Sequence, residues 1–175
     1  MVNPNAKSAV LIDSYTISTG VSSVVLTGMT SDYSLYQVFW ANVRSDNPGS
    51  YHAYLSIRFQ ESGVSNTSSI YDTNGHEPYG GGSTLSERIN SNLDKGILSQ
   101  NAKDEQGGAV LIFNSQDNTE YTYYEAQNVG NGSGYSRGDK HLGALKTNSI
   151  IDGVELYDRI GNNLGTGYFA LYGYK

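Results

Sequence analysis

The stretch that decides the fold class is residues 51–60, with the sequence YHAYLSIRFQ. Apolar or aromatic side chains at every second position, from Tyr51 to Phe59, fall on one side of an extended chain. The side chains between them, from His52 to Gln60, fall on the other side and are mostly polar. This period of two predicts a β-strand with one face in a protein core.

Further strand-like segments occur along the chain, separated by turn-forming residues. They are 9–17, 21–27, 34–43, 109–114, 120–128, 142–147, 150–157 and 166–172. Segment 34–43 is apolar on both faces, which predicts a central, buried strand. Ser18-Thr19-Gly20 and Gln116-Asp117-Asn118 are predicted to be hairpin loops. About nine strands without alternating helices favour an all-β, jelly-roll-like antiparallel β-sandwich.

The middle of the chain has a different composition. Residues 61–107 contain three consecutive glycines at 80–82 and few apolar side chains. We therefore expect one domain over 1–175, in which 61–107 form a long loop or insertion outside the sheets. Long loops often form interfaces, although a merely solvated insertion remains the alternative.

One short helix is predicted within this insertion. Thr84 and Glu87 have the spacing of a capping box at the start of a helix. Leu85, Ile89 and Leu93 recur every four residues, which places them on one face of such a helix.

Charge and composition exclude several classes of function. Only 16% of the residues are charged, the formal net charge is -6, and there is no cysteine. No basic run is present, so nucleic-acid binding is not expected. No apolar run has the length of a membrane span, and residues 1–7 lack the apolar segment of a signal peptide. Without cysteine, disulfides and cysteine-ligated metal sites are excluded.

The two ends of the chain share a pattern with a known group of proteins. Residues 11–17 and 24–28 form two short apolar strands around a Ser-rich segment, closed by Thr27-Gly28. Residues 33–43 read YSLYQVFWANV, and the chain ends on GTGYFALYGYK at 165–175. This pattern resembles a structural domain of tailed phages, especially marine and cyanobacterial ones, found alone or at the ends of tail-fibre-like proteins.

The resemblance implies a jelly-roll-type β-sandwich in a virion, as a fibre tip, a knob or a capsid decoration, and it carries over no catalytic residues. We therefore expect a non-enzymatic virion structural protein that is made in the host cytoplasm and released by lysis. Its expected partners are capsid or tail proteins and further copies of itself, as a trimer if the protein is fibre-like. No cofactor, nucleic acid or membrane insertion is expected.

The histidines show no metal-binding pattern. His52, His76 and His141 are widely separated, and none has a second histidine at metal-ligand spacing. We expect these side chains to face solvent, and we assign no metal site.

Paired acids are the chemistry that glycoside hydrolysis requires. The candidates are Asp104-Glu105 and the pair Asp152 and Glu155. Adjacent acids in polar loops are more simply explained as solvated side chains, and no Gly-x-Ser-x-Gly nucleophile motif is present. We therefore predict no catalytic residues.

Tyrosine is unusually frequent, with 15 residues in the chain. Its side chain combines a large apolar area with a polar tip, so it suits protein interfaces and sugar-stacking surfaces alike. Ordinary cross-strand packing is the alternative for any single tyrosine. The predicted binding or interface residues are Tyr79, Leu85, Ile89, Leu93, Tyr121, Tyr123, Tyr124 and Tyr135. A carbohydrate-binding receptor module at a tail-fibre tip, which would contact a host surface glycan, is the second hypothesis.

Overall fold

The structure is a computed structural model, and it describes residues 8–47, 53–77, 86–99, 103–131 and 136–175. These residues form thirteen β-strands and no helix. The strands are β1 (Ala9–Ile17), β2 (Ser23–Thr27), β3 (Leu35–Ser45), β4 (Leu55–Glu61), β5 (Val64–Ser65), β6 (Tyr71–Glu77), β7 (Ser86–Leu93), β8 (Gly96–Ile97), β9 (Lys103–Phe113), β10 (Thr122–Asn131), β11 (Ser136–Leu145), β12 (Gly153–Asp158) and β13 (Leu164–Tyr174).

Two antiparallel sheets contain these strands. The larger sheet has eight strands in the order β1-β13-β3-β9-β10-β11-β6-β7. The smaller sheet has the order β2-β12-β4-β5, and β8 also pairs with β4. Buried side chains from both sheets form one apolar cluster. The expected all-β antiparallel sandwich is therefore confirmed.

Strand β3 lies in the interior of the larger sheet, between β13 and β9. Its alternate residues Tyr36, Val38 and Trp40 are fully buried in the core. The indole nitrogen of Trp40 donates a hydrogen bond to Oδ1 of Asn128 on β10, at 3.3 Å. The predicted central position of this strand is confirmed, but Phe39 on its other face is 42% exposed.

Strand β4 has the alternation that the sequence predicts. Leu55, Ile57 and Phe59 are fully buried in the core. Ser56 and Gln60, on the opposite face, are also buried, so this strand is covered more completely than a half-buried strand.

The C-terminal strand β13 is fixed on both sides. It pairs with the edge strand β1 and with β3 in the larger sheet. Phe169 and Leu171 point into the core and are fully buried. The C-terminal strand is therefore tied into the larger sheet along both of its sides.

The prediction of a long excursion over 61–107 is wrong. This region contributes β5 to β8 and the first residues of β9 to the two sheets. Strand β6 pairs with β11 and β7, which extends the larger sheet at this side. The strands are polar in composition, so their pairing with neighbouring strands, and not a hydrophobic alternation, determines their structure.

The predicted short helix is also absent from the described residues. Ser86–Leu93 is strand β7, in which Ile89 lies opposite Asn74 of β6. The pairing with β6 shifts register between Asn90 and Leu93, so the four-residue spacing of Ile89 and Leu93 belongs to an irregular strand and not to one face of a helix. Thr84 and Leu85 lie outside the described residues.

The loop Ser18-Thr19-Gly20 does not close a hairpin. Strand β1 belongs to the larger sheet and β2 to the smaller one, so the chain crosses between the sheets here. An isolated bridge between Val21 and Leu164 follows the crossing. The second predicted hairpin loop, at Gln116-Asp117-Asn118, does join two paired strands, β9 and β10.

Candidate functional site: the outer face of the larger sheet

The candidate site lies on the face of the larger sheet that points away from the smaller sheet. We call it the outer face. The register of β3, β9 and β10 places its side chains in neighbouring rows across the sheet. The rows are Leu35, Phe113 and Tyr123; Gln37, Leu111 and Glu125; and Phe39, Ala109 and Gln127. Inner-face residues of the same strands, such as Val38, Val110 and Ala126, are fully buried in the core.

Large apolar side chains on this face are exposed. The exposed fractions are 42% for Phe39, 36% for Phe113, 43% for Tyr123, 61% for Val129 and 47% for Leu142. Single exposed apolar residues are normal on a protein surface, but neighbouring ones that form a patch indicate a contact site. These residues occupy the adjacent strands β3, β9, β10 and β11, so they form such a patch.

A groove follows β9 across the outer face, because this strand has small residues between taller neighbours. Gly107 and Ala109 form its floor, opposite Val129 and Gln127 of β10. One part of the groove is a cavity of about 540 Å³ that reaches from Phe39 to Val129. The adjoining part, of about 170 Å³, is lined by Gln37, Ala109, Leu111, Glu125 and Gln127. We call the two parts together the β9 groove.

Two register irregularities lie at the larger part of the β9 groove, the one that reaches from Phe39 to Val129. Pairing between β3 and β9 shifts between Trp40 and Val43, and pairing between β9 and β10 shifts between Gly130 and Asn131. Asn42, inside the first shift, has a positive φ of 54°. Asparagine tolerates this left-handed conformation better than most residues, and such bulges bend a strand locally.

The polar groups of the outer face are largely paired with each other. Nζ of Lys140 lies 2.7 Å from Oε1 of Glu125. This hydrogen bond, assisted by one from Gln127, holds the pKa of the Glu125 carboxyl below its ordinary value. Oε1 of Gln37 accepts a hydrogen bond from the hydroxyl of Tyr174, at 2.5 Å. The carboxylate of Glu125 is thus matched by a base.

The residues predicted from the sequence are distributed over different parts of the molecule. Tyr123 lies on the outer face, and Tyr121, just before β10, is 41% exposed. Leu93 is partly buried and packs against the core. Ile89 lies on β7, opposite Asn74. The remaining predicted positions Tyr79, Leu85 and Tyr135 lie outside the described residues.

Tyr124 belongs to the core and not to an exposed surface. It is 2% exposed. Its hydroxyl lies 2.5 Å from Oγ1 of Thr73 and accepts a hydrogen bond from the backbone N–H of Ile97, at 3.1 Å. Burial raises the pKa of this phenol above its ordinary value. Successive strand residues point to opposite faces, so Tyr123 and Tyr124 cannot share a surface.

Sequence reasoning missed most of the outer-face residues. Phe39 was included in a strand predicted to be buried on both faces, and Val129 was not considered. The signal that could have indicated the groove is Gly107-Gly108-Ala109, a run of small residues within a strand segment. Such a run leaves a depression between the side chains of the neighbouring strands.

The prediction of solvent-facing histidines is wrong for His141, which is 1% exposed. It lies on the inner face of β11, opposite Gly75 of β6. A Cβ atom at Gly75 would lie 2.4 Å from Nδ1 of His141, so the missing side chain makes room for the imidazole. His76 is exposed, and His52 lies outside the described residues.

The two acids Asp152 and Glu155 contact different partners and not each other. Oδ2 of Asp152 accepts a hydrogen bond from the backbone N–H of Gly63, at 2.8 Å. Oε2 of Glu155 lies 3.8 Å from the guanidinium of Arg58. Within the described residues, no group of three or more His, Asp or Glu side chains could hold a metal ion.

Comparisons with protein-family models, with curated proteins and with solved structures found no match to this chain. The described part of the chain contains no helix of the length and apolarity needed to cross a membrane.

Proposed function

We propose that this chain is a non-enzymatic structural protein of a bacteriophage virion. It assembles on symmetric neighbours as a capsid decoration or cement protein, or as a tail fibre or knob subunit. The observation that supports this proposal is the patch of exposed apolar side chains on the outer face, which include Phe39, Phe113 and Val129. A contiguous patch of this kind is usual where another protein docks.

The size of the outer face suits such a contact. Eight strands spaced about 4.8 Å apart span roughly 34 Å, and ten residues of a strand extend about 34 Å. The face therefore covers roughly 1,100 Å², which exceeds the roughly 800 Å² that each partner buries in an interface of standard size. A neighbour that covers the central strands would remove the exposed apolar patch from water.

Three of the four segments that resemble phage proteins lie side by side in the structure. Residues 11–17 belong to β1, 33–43 include most of β3, and 165–175 include nearly all of β13. Strand β13 pairs with β1 on one side and with β3 on the other. The fourth segment, 24–28, includes most of β2 in the smaller sheet.

Quantitative mass spectrometry of purified particles, from a culture that produces this chain, tests the proposal. We expect the chain to co-purify with the particles through a density gradient, in a fixed ratio to the capsid or tail protein it contacts. The matched comparison is the lysate after the particles are removed, in which the chain should be depleted. Recovery of the chain only in the particle-free lysate would contradict a virion role.

Carbohydrate binding at a fibre tip is the second candidate function, and the β9 groove is the observation that favours it. Phe113 and Tyr123 lie at the end of this groove, one row of the sheet from Gln37 and two rows from Gln127. Rings offer stacking surfaces, and amides offer both donors and acceptors for sugar hydroxyls. Titration of the purified protein with oligosaccharides that bind the wild type should show weaker binding by Tyr123→Ala, and unchanged binding by Val64→Ala on the smaller sheet. Absence of any glycan binding by the wild type would exclude this candidate.

A further inference from the structure

Strand β1 forms an edge of the larger sheet. Among the described residues it pairs only with β13, so the backbone groups on its other side face outward. Val10, Leu11 and Tyr15 are 39%, 51% and 43% exposed. Unpaired N–H and C=O groups along an edge strand are a template for pairing with another chain.

The two edges of the larger sheet differ in how they are protected. Strand β7, at the opposite edge, has the sequence SERINSNL, with Glu87 and Arg88 among polar neighbours. Strand β1 has the sequence AVLIDSYTI, without lysine, arginine or proline. Charged side chains and proline are the usual protection of an edge against pairing, and β1 has only Asp13.

The carboxylate of Asp13 is occupied within its own chain. Its Oδ1 accepts a hydrogen bond from the backbone N–H of Ser14, at 2.8 Å. Its Oδ2 accepts one from the N–H of Thr27 on β2, at 2.9 Å. The carboxylate of Asp13, the one charged side chain of β1, therefore links this strand of the larger sheet to β2 of the smaller sheet.

A bulge interrupts β1 between Leu11 and Asp13. The residue inside it, Ile12, is partly buried and packs against the core. After the bulge, Asp13–Ile17 keeps a regular register against β13. This five-residue segment is regular enough to accept a further strand on its outer side.

We propose that β1 pairs with β1 of a second copy, antiparallel, about a two-fold axis at Tyr15. Tyr15 of each copy then lies opposite Tyr15 of the other, and Ser14 lies opposite Thr16. Asp13 lies opposite Ile17, so no two like charges meet. Aromatic pairs and hydroxyl pairs are favourable cross-strand neighbours, and a two-fold contact is self-complementary.

This pairing joins two larger sheets into one. A two-fold axis perpendicular to the sheet keeps both outer faces on the same side, so the candidate assembly surface becomes continuous across two copies. Because the other edge, β7, is charged, the association closes at a pair and does not extend into a fibre. A two-fold pair favours a capsid role over a three-fold fibre, but the pairing itself does not depend on the virion proposal.

Single-cysteine variants test the register, because the wild-type chain contains no cysteine. In Tyr15→Cys the two thiols face each other, with Cα atoms about 4.5 to 5.5 Å apart, which a disulfide can span. In the matched control Leu11→Cys, at a position of the same strand that is slightly more exposed, the thiols lie about 27 Å apart, or eight residues of strand. Mild oxidation should convert Tyr15→Cys, and not Leu11→Cys, into a covalent dimer of the 19.0 kDa chain. Equal cross-linking of the two variants, or none in either, would overturn the proposal.

Sedimentation equilibrium gives a second measurement that does not depend on cysteine chemistry. We expect the wild type to be a dimer, and Tyr15→Lys to be a folded monomer because two like charges would meet on the axis. Val64→Lys on β5, where Val64 is 68% exposed, is the control and should stay dimeric. A monomeric wild type, or a dimeric Tyr15→Lys, would refute the pairing.

Phe39→Asp on the outer face should leave this dimer intact, so failure of outer-face docking can be told apart from failure of β1 pairing.

Discussion

Phe39 on β3 lies directly opposite Ala109 on β9, across the centre of the larger sheet. Alanine is too short to cover the neighbouring ring, and 42% of the Phe39 surface remains exposed. An aromatic ring beside a depression is the arrangement that a docking partner can fill, as anchor residues do at protein interfaces. We therefore take this pair as the centre of the docking surface that we propose for the outer face.

Substitution Phe39→Asp tests whether this centre carries the docking. A charge here would have to be desolvated by an apolar partner, so we expect loss of binding to particles depleted of the chain, measured by cosedimentation. Because more than half of the ring is covered, and because aspartate is disfavoured in strands, we expect the free energy of unfolding to fall by about 1 kcal/mol, which should leave the variant folded. The control is Ile160→Asp, at a loop residue that is 56% exposed, which should bind as the wild type does. Wild-type cosedimentation of Phe39→Asp would place the docking surface elsewhere.

The neighbouring tyrosines of β10 should respond differently to loss of a hydroxyl. In Tyr124→Phe the buried N–H of Ile97 loses its closer acceptor, at 3.1 Å, and keeps Oγ1 of Thr73, at 3.4 Å. Because the Thr73 hydroxyl also loses a partner, we expect unfolding in urea to show a destabilisation of about 1 kcal/mol. In Tyr123→Phe, at a side chain that is 43% exposed, we expect no measurable change. Equal stability of the two variants would contradict the orientation of β10.

Two adjacent glycines of β9 provide a test of packing beneath the groove. A Cβ atom at Gly108 would lie 2.3 Å from the carbonyl oxygen of Gln127 and 2.5 Å from the Trp40 ring. We expect Gly108→Ala to lower the free energy of unfolding by about 1 to 3 kcal/mol through overpacking. At Gly107 the nearest atom would be 3.4 Å away, so Gly107→Ala should be tolerated. Thermal unfolding of both variants distinguishes a packed inner side from an open outer side of this strand.

Stability should depend on pH through Asp158, which is 2% exposed. Burial raises the pKa of its carboxyl, although hydrogen bonds from Ile160 and Asn162 oppose the shift. The folded state therefore holds the proton more tightly than the unfolded state, whose pKa is about 3.9. This contribution to stability is complete below the unfolded pKa and is lost as pH rises through the folded pKa. The variant Asp158→Asn lacks this carboxyl. Its free energy of unfolding should therefore not show this decrease between about pH 3 and about pH 7.

Asp117 gives a control of opposite sign for the same experiment. Hydrogen bonds from the Thr119 hydroxyl and backbone hold the pKa of this exposed carboxyl below its ordinary value. The stability that Asp117 contributes is therefore lost as pH falls through the lowered pKa. In Asp117→Asn, the free energy of unfolding should not show this decrease at low pH. The same direction of change in the two variants would contradict the burial of Asp158.

The strands with a clear alternation of side chains could be predicted from the sequence. The bounds of β1 agree with the predicted segment 9–17, and the apolar residues of β4 that were predicted to face the core, Leu55, Ile57 and Phe59, are buried. In β4 and in β13, apolar side chains at alternate positions meet the core on one face, so local pattern and tertiary structure agree there. Glycine and asparagine turns then separate the strands where the sequence indicates.

Strands β6 and β7 could not be predicted, because they lack that pattern. Their sequences YDTNGHE and SERINSNL contain few residues that favour strands. Their pairing with each other, and of β6 with β11, supplies the hydrogen bonds that the sequence does not suggest. Partners distant in the chain are not visible in a local pattern.

The candidate site was missed for a related reason. Apolar residues on both faces of β3 predicted burial on both sides, because a single sequence does not show which face meets the second sheet. The structure places Trp40 inside, fully buried, and Phe39 outside. A sequence that predicts a buried strand can therefore equally encode a strand with one face partly exposed.

The most direct test of the central claim is cryo-electron microscopy of intact particles from a culture that produces this chain. We predict density for the sandwich in the virion, repeated on the capsid or the tail, with the side chains around Phe39 and Phe113 covered by a neighbouring virion protein. Particles without this density, or density in which the outer face of the larger sheet points into solvent, would contradict assembly through this face.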